Sequence, residues 1–216
     1  MNRIVSLLLI LIAAGANAQV KYRVELSGKE VGTASLKQRL LPDGTKSVEL
    51  KLSLKSGDQP LTIRSEATYD AKGNPIRKFI DSNIPGGKLQ RQTVATFDSR
   101  GANLVVLDGG KRTTRQIPLV ESAPRANDSE FWFLRQKPAV GKECRTYVFN
   151  MDLVAWQLQT VTYKGKKSIR LNGRSISCHV IETSGERTTV AYVDDQGLPW
   201  ILESGAMSLK RIEEKS

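Results

Sequence analysis

The sequence predicts an all-β, mainly antiparallel fold: a curved meander sheet, or half-barrel, of about a dozen strands with one short helix. Three observations carry that expectation. Apolar and polar residues alternate over long stretches, turn residues return about every ten positions, and one hairpin device is spelled three times. The device reads Ala67, Tyr69, Asp70, Gly73, Pro75, then Ala95, Phe97, Asp98, Gly101, then Ala191, Tyr192, Asp194, Gly197, Pro199. Asp suits the first position of a type I turn, and Gly supplies the left-handed residue that ends a three-residue hairpin loop.

The chain opens with a segment that does not belong to the fold. Arg3 gives a short positive region, Ile4 to Ala14 are apolar, and Ala16-Asn17-Ala18 fits the small-x-small cleavage rule of a secretory signal. The apolar run falls short of the ~20 residues that span a bilayer. Residues 1–18 are therefore expected to be removed. That leaves 19–216 as one antiparallel β domain in the periplasm or outside the cell, with no membrane-spanning segment. No Cys follows the cleavage site, which argues against a lipid-anchored form.

Alternation then sets in at once. Val20, Tyr22, Val24 and Leu26 share one face, as do Val48, Leu50, Leu52 and Leu54, and then Leu61, Ile63, Ala67 and Tyr69. One buried face and one wet face mark antiparallel sheet rather than a parallel sheet covered on both sides. Turn signals punctuate the run at Ser27-Gly28, Pro42-Asp43-Gly44, Ser56-Gly57-Asp58, Asp70 to Gly73, Pro85-Gly86-Gly87, Asp98 to Gly101 and Asp108-Gly109-Gly110. A sheet this long must curl or fold onto itself.

The meander breaks once, over residues 118–137. Pro118 to Ala126 reads as a connection, Asp128 as an N-cap, and Ser129 to Gln136 as a helix stopped by Pro138. That helix holds Phe131, Trp132 and Phe133. Successive helical residues stand about 100° apart, so the three rings cannot share one face. They are expected either to plug the concave face of the sheet or to form a lid over an apolar cavity. Beyond it, Lys164-Gly165-Lys166, Asn172-Gly173, Ser184-Gly185 and Asp194 to Gly197 mark further hairpins.

Composition narrows the function classes. The formal charge is +11, of which Arg3 leaves with the signal. A basic exported protein suits anionic headgroups, polyanionic wall polymers or an acidic protein. Export, and basic clusters without interleaved aromatics, argue against nucleic acid. The two cysteines, Cys144 and Cys178, suit a disulfide in an oxidising compartment. Two free thiols or a redox pair are the alternatives, the last weakened by the absence of Cys-x-x-Cys.

No catalytic constellation appears. His179 is the only histidine, and strand alternation turns it away from the adjacent Cys178. No ligand spacing points to a metal or other cofactor. A hydrolase using a carboxylate pair drawn from Glu66, Asp81, Glu182 or Glu203 stays open, because sequence does not measure carboxyl separation.

In its alternating strands from Val20 to Phe97 and its helix at Ser129 to Gln136, the chain resembles the Lol-type lipoprotein-carrier half-barrels of bacterial envelopes. That resemblance implies acyl-chain binding in the concave face of an incomplete barrel covered by helices. Such carriers begin with a helix, whereas Val20 to Leu26 reads as strand. The Asp-x-x-Gly-x-Pro turns followed by Trp200 also resemble uncharacterised secreted β-domain families.

The function expected is therefore non-enzymatic binding of a hydrophobic or amphiphilic ligand, a lipid or a lipidated protein, in the envelope. Leu50, Leu52, Phe131, Trp132, Phe133 and Trp156 are the candidate cavity residues, and Lys111, Arg112 and Arg115 the candidate contacts for an anionic headgroup. The alternative is an envelope interaction protein with a self-filled core, working through its sheet edges or basic surface.

Overall fold

The structure, a computed structural model, describes residues 18–56, 59–71, 73–84, 89–120, 132–185 and 187–212. The expected signal peptide lies outside them except for Ala18, as do most of the Pro118 to Ala126 connection, the expected N-cap Asp128, and Phe131 with the start of the expected helix.

Fourteen strands form one antiparallel sheet. They are β1 (Ala18–Leu26), β2 (Lys29–Leu40), β3 (Lys46–Ser56), β4 (Gln59–Tyr69), β5 (Pro75–Ile84), β6 (Leu89–Asp98), β7 (Gly101–Asp108) and β8 (Lys111–Pro118), followed by β9 (Glu143–Asn150), β10 (Ala155–Leu171), β11 (Arg174–Ser184), β12 (Thr189–Val193), β13 (Pro199–Ser204) and β14 (Met207–Ile212). The one described helix, α1 (Trp132–Gln136), lies between β8 and β9. It covers the second half of the expected helix.

Strand order is β8-β7-β6-β5-β4-β3-β2-β1-β14-β13-β12-β11-β10-β9. Two hairpin meanders thus meet where the first strand pairs with the last, Tyr22 opposite Arg211 and Val24 opposite Leu209. The sheet does not close on itself, and β8 and β9 are its edges. It curls until β9 and β10 return to β5 and β6. There the Phe149 ring sits 5.5 Å from Phe97 and 5.3 Å from Trp156, and Lys78 Nζ donates to the Phe149 carbonyl at 3.4 Å. Alternation fills the inside with Val20, Tyr22, Val24, Ala34, Leu36, Leu50, Leu52, Ile63, Leu202 and Leu209, all buried.

Because every neighbour is antiparallel, all even-numbered strands end at one end of the sheet. The turns after β2, β4, β6 and β12 therefore share that end, and with them Asp43, Asp70, Asp98 and Asp194. Two copies of the threefold device are alike. Asp70 Oδ1 accepts from the Asn74 amide at 2.8 Å and Gly73 N–H returns to the Asp70 carbonyl, while Asp194 Oδ1 accepts from Gln196 and Leu198 and Gly197 returns to Asp194. Gly73 and Gly197 sit at φ 87° and 82°, left-handed backbone as that loop requires. The Asp98 copy differs. Asp98 pairs directly with Gly101, which leaves a two-residue loop.

Two expectations need correction. Lys164-Gly165-Lys166 is not a hairpin but a β-bulge within the 17-residue β10, where the register shifts between Tyr163 and Lys166. A Gly at φ 92° serves a bulge as well as a turn, so the sequence signal is the same. Nor do Cys144 and Cys178 form a disulfide with each other. Cys144 pairs with Val161 and Cys178 with Lys167, on opposite sides of β10. The intervening stretch of β10 holds them about 20 Å apart along the strand at ~3.3 Å per residue, far beyond the ~7 Å limit between bridged Cα atoms. Burial pushes the Cys178 thiol pKa up, and its Sγ contacts the Lys167 carbonyl.

Candidate functional site

Of the residues expected to wall a cavity, Leu50, Leu52, Trp132 and Phe133 are buried, Trp156 is half-buried, and Phe131 lies outside the described residues. Leu50 and Leu52 project from β3 into the core at 4% and 2% exposure, and Trp132 and Phe133 from α1 are each 2% exposed. Phe133 lies parallel to Tyr163 and near His179, while half-buried Trp156 packs against Phe97 and Phe149. The structure thus places the two in different aromatic groups. Surfaces this inaccessible are used up by their neighbours. The inside is also not wholly apolar: the indole N–H groups of Trp132 and Trp156, Ser65 Oγ and Thr146 Oγ1 are buried with no hydrogen-bond partner among the described residues.

The candidate headgroup contacts share one element. Lys111, Arg112 and Arg115 all lie on edge strand β8, which is exposed along almost its whole length. Arg115 stands opposite Leu104 and Arg112 opposite Leu107. Only Ile117, at the base of the strand, packs against the core. None of the three cations makes an ion pair among the described residues.

Several other cations are engaged by anions. A depression of 590 Å³ opens on the outer face of β1 to β5, lined by Thr33, Ser35, Ser53 and Thr62 with Lys51, Arg64 and Asp81 at its sides. Its small hydroxyl side chains follow from the polar positions of the alternation. But Lys51 is bound to Glu49 at 2.8 Å, and Arg64 to Glu49 at 3.3 Å and Glu66 at 3.5 Å. Elsewhere Lys164 pairs with Glu182, Lys210 with Glu25 and Arg211 with Asp194.

One polar chain escaped the sequence reading. Tyr163 Oη lies 3.0 Å from His179 Nδ1, and His179 Nε2 lies 3.0 Å from Asp195 Oδ1, which also accepts from Lys166 at 3.0 Å. Asp195 as a carboxylate accepts from Nε2–H, so in the neutral imidazole Nδ1 accepts from the Tyr163 hydroxyl. The hydrogen bonds from Lys166 and, secondarily, His179 hold the Asp195 carboxyl below its ordinary pKa. The glycine bulge makes this possible. Tyr163 and Lys166 are three apart and would normally face opposite ways, but one inserted residue restores the parity and puts both beside His179. Tyr163 is buried under Phe133, so the chain works as a strut that seats α1 on β10 and β11.

Among the described residues, no group of three or more His, Cys, Asp and Glu side chains is placed to hold a metal ion. No described helix is long and apolar enough to cross a membrane. Glu66 and Asp81 stand diagonally across neighbouring strands β4 and β5, and Glu182 and Glu203 stand either side of Val190 on β11 and β13, so the four form no single group. Glu66 is bound to Arg64, Glu182 to Lys164, and Asp81 keeps one buried oxygen without a partner among the described residues.

No family model matches the chain, and no curated protein does. Solved structures similar to it include two bacterial proteins. A DUF1089-family protein from Pseudomonas aeruginosa is 13% identical with a TM-score of 0.38, over 87% of this chain and 89% of that one. A β-barrel-like protein of domain of unknown function DUF1849 from Brucella abortus is 10% identical, with a TM-score of 0.65 over 94% of this chain and 98% of its own. At that identity the likeness shows the fold alone: this chain shares the architecture of a β-barrel-like bacterial protein along nearly its whole length.

Proposed function

We propose that the protein is an exported, non-catalytic binding protein of the bacterial envelope that engages an anionic partner through its surface, its interior being filled by its own side chains. The observation that carries this reading is the exposed edge strand β8, whose Lys111, Arg112 and Arg115 make no ion pair among the described residues, while Lys51 and Arg64 at the outer depression are held by Glu49. The 2–4% exposure of Leu50, Leu52, Trp132 and Phe133 supports it, since side chains packed this tightly offer no wall to an acyl chain. The signal-like N-terminus supports export.

A second reading, an amphiphile carrier of the Lol type, is favoured by one observation. The buried N–H groups of Trp132 and Trp156 have no partner among the described residues, and buried donors are ordinarily satisfied. Native mass spectrometry of protein purified from its own envelope separates the two. The surface-binding reading expects the mass of the mature polypeptide alone. A stoichiometric lipid adduct overturns it in favour of the carrier.

A further inference from the structure

We propose that the outer rim of β8 is a strand-addition site, which takes an extended, acidic segment of a partner protein as a further strand of the sheet. The proposal rests on the surface-binding reading and names the mode and chemistry of that binding.

The backbone of β8 supplies the first half of the argument. Asp108 pairs with Lys111 across a two-residue loop, Gly109-Gly110, with φ 54° and 82°. Positive φ at both positions is the type I′ hairpin, whose closing pair exchanges both backbone hydrogen bonds. Lys111, Thr113, Arg115 and Ile117 therefore bond inward to β7. Arg112, Thr114 and Gln116 direct their N–H and C=O groups outward, where no described strand receives them. Pro118 has no N–H and ends the usable rim, which spans about five residues of an incoming strand.

The side chains supply the second half. Lys111 and Arg115 stand on one face of β8 and Arg112 on the other, all exposed, so an added strand meets positive charge on both faces. Between Lys111 and Gln116 the strand has no apolar residue, so affinity comes from backbone pairing and charge rather than from apolar burial. A second copy of this edge is a poor occupant, because it would set arginine and lysine against their own kind. An acidic extended segment satisfies both the backbone row and the cations. An anionic lipid surface or a polyanion satisfies only the cations.

The test measures binding of a fluorescently labelled, end-capped peptide of alternating glutamate and threonine by anisotropy. Its comparison probe is the same peptide N-methylated at alternate backbone amides, which keeps every charge but cannot pair as a strand. The unmodified peptide is expected to bind saturably, and the N-methylated one at least about tenfold more weakly. Thr114→Pro removes one outward N–H at an edge position that tolerates proline. It is expected to weaken binding to a similar degree while leaving the circular dichroism melt unchanged. If that variant melts early, the N-methylated peptide on the unaltered protein decides alone. Equal binding of both peptides, absence of saturable binding, or binding only to vesicles of anionic phospholipid overturns strand addition. A lipid adduct in native mass spectrometry bears instead on the filled interior, so the two failures are distinguishable.

Discussion

Glu25 shows how one buried charge joins the two meanders. It lies on β1 at 6% exposure and accepts from Lys210 Nζ of β14 at 2.6 Å and from Arg23 Nε at 2.9 Å. The Lys210 hydrogen bond, followed by those charges and the Arg23 bond, outweighs burial and holds its carboxyl below the ordinary glutamate pKa. A buried carboxylate is tolerable only because both cations reach it. Glu25→Gln keeps the shape but leaves Lys210 and Arg23 facing a neutral amide. It is expected to lower unfolding stability by about 1–3 kcal/mol near neutral pH, read by urea denaturation. The pH dependence has a definite sign. A folded pKa below the unfolded one gives stability that is present above the ordinary glutamate range, about 4.3, and lost as pH falls through the folded value. The gap between wild type and variant should therefore narrow on acidification. A gap constant from pH 7 to pH 3 would show that the carboxylate charge is not what the pair contributes. Asp195 is also held low, but it is 82% exposed, where screening leaves an ion pair little worth.

At the level of elements, the three-fold turn device separates into a partly buried pair and an exposed variant. Asp194 accepts from two backbone amides and from Arg211, and Asp70 likewise stitches its loop to Asn74. Asp98 caps only the Arg100 amide in an exposed two-residue loop, with Asn103 and the Arg100 side chain alongside. Asp194→Ala is expected to cost about 1–2 kcal/mol, the value of partly buried hydrogen bonds. Asp98→Ala should lower the melting temperature by distinctly less, and equal shifts in thermal melts would contradict this ranking. Pro75 and Pro199 mark the first kind of turn and are missing after Gly101, so the difference was present in the sequence. Alternation and turn spacing were likewise enough for the strands, because period two and left-handed glycine are local properties. The bulge at Gly165 was not legible, since glycine between lysines suits a hairpin equally well. That ambiguity hid the Tyr163–His179–Asp195 strut, whose parity depends on the extra residue. It did not cause the disulfide error. Cys144 and Cys178 are kept apart by which stretches of β10 they face, which no count of cysteines contains. For the candidate site, the cationic trio on β8 was legible as a basic hairpin edge, but its lack of ion pairs among the described residues was not.

For the molecule as a whole, what alternation leaves open is which dry faces meet. The sheet has free edges at β8 and β9, so no backbone ladder closes it. The return of β9 and β10 onto β5 and β6 is made by side chains: Phe149 and Trp156 against Phe97, with Lys78 donating to the Phe149 carbonyl. These contacts join residues more than fifty positions apart, and aromatic pairs at such a seam add to their area burial. Phe149 is 2% exposed and touches both partners, so it is the residue on which the curl depends most. Phe149→Ala removes a buried ring where two separate strand pairs lean on it, and a rigid sheet collapses poorly into the gap. The expected loss is about 3–5 kcal/mol, measured by urea denaturation. The distribution of the loss is the sharper readout. β9 is held by backbone bonds on one side only, so without the seam its amides should lose hydrogen-exchange protection well before those of β3, which is paired on both sides. Protection lost evenly in β3 and β9 would mean that the fourteen strands open as one unit and that the backbone ladder, not the aromatic seam, keeps the sheet curled.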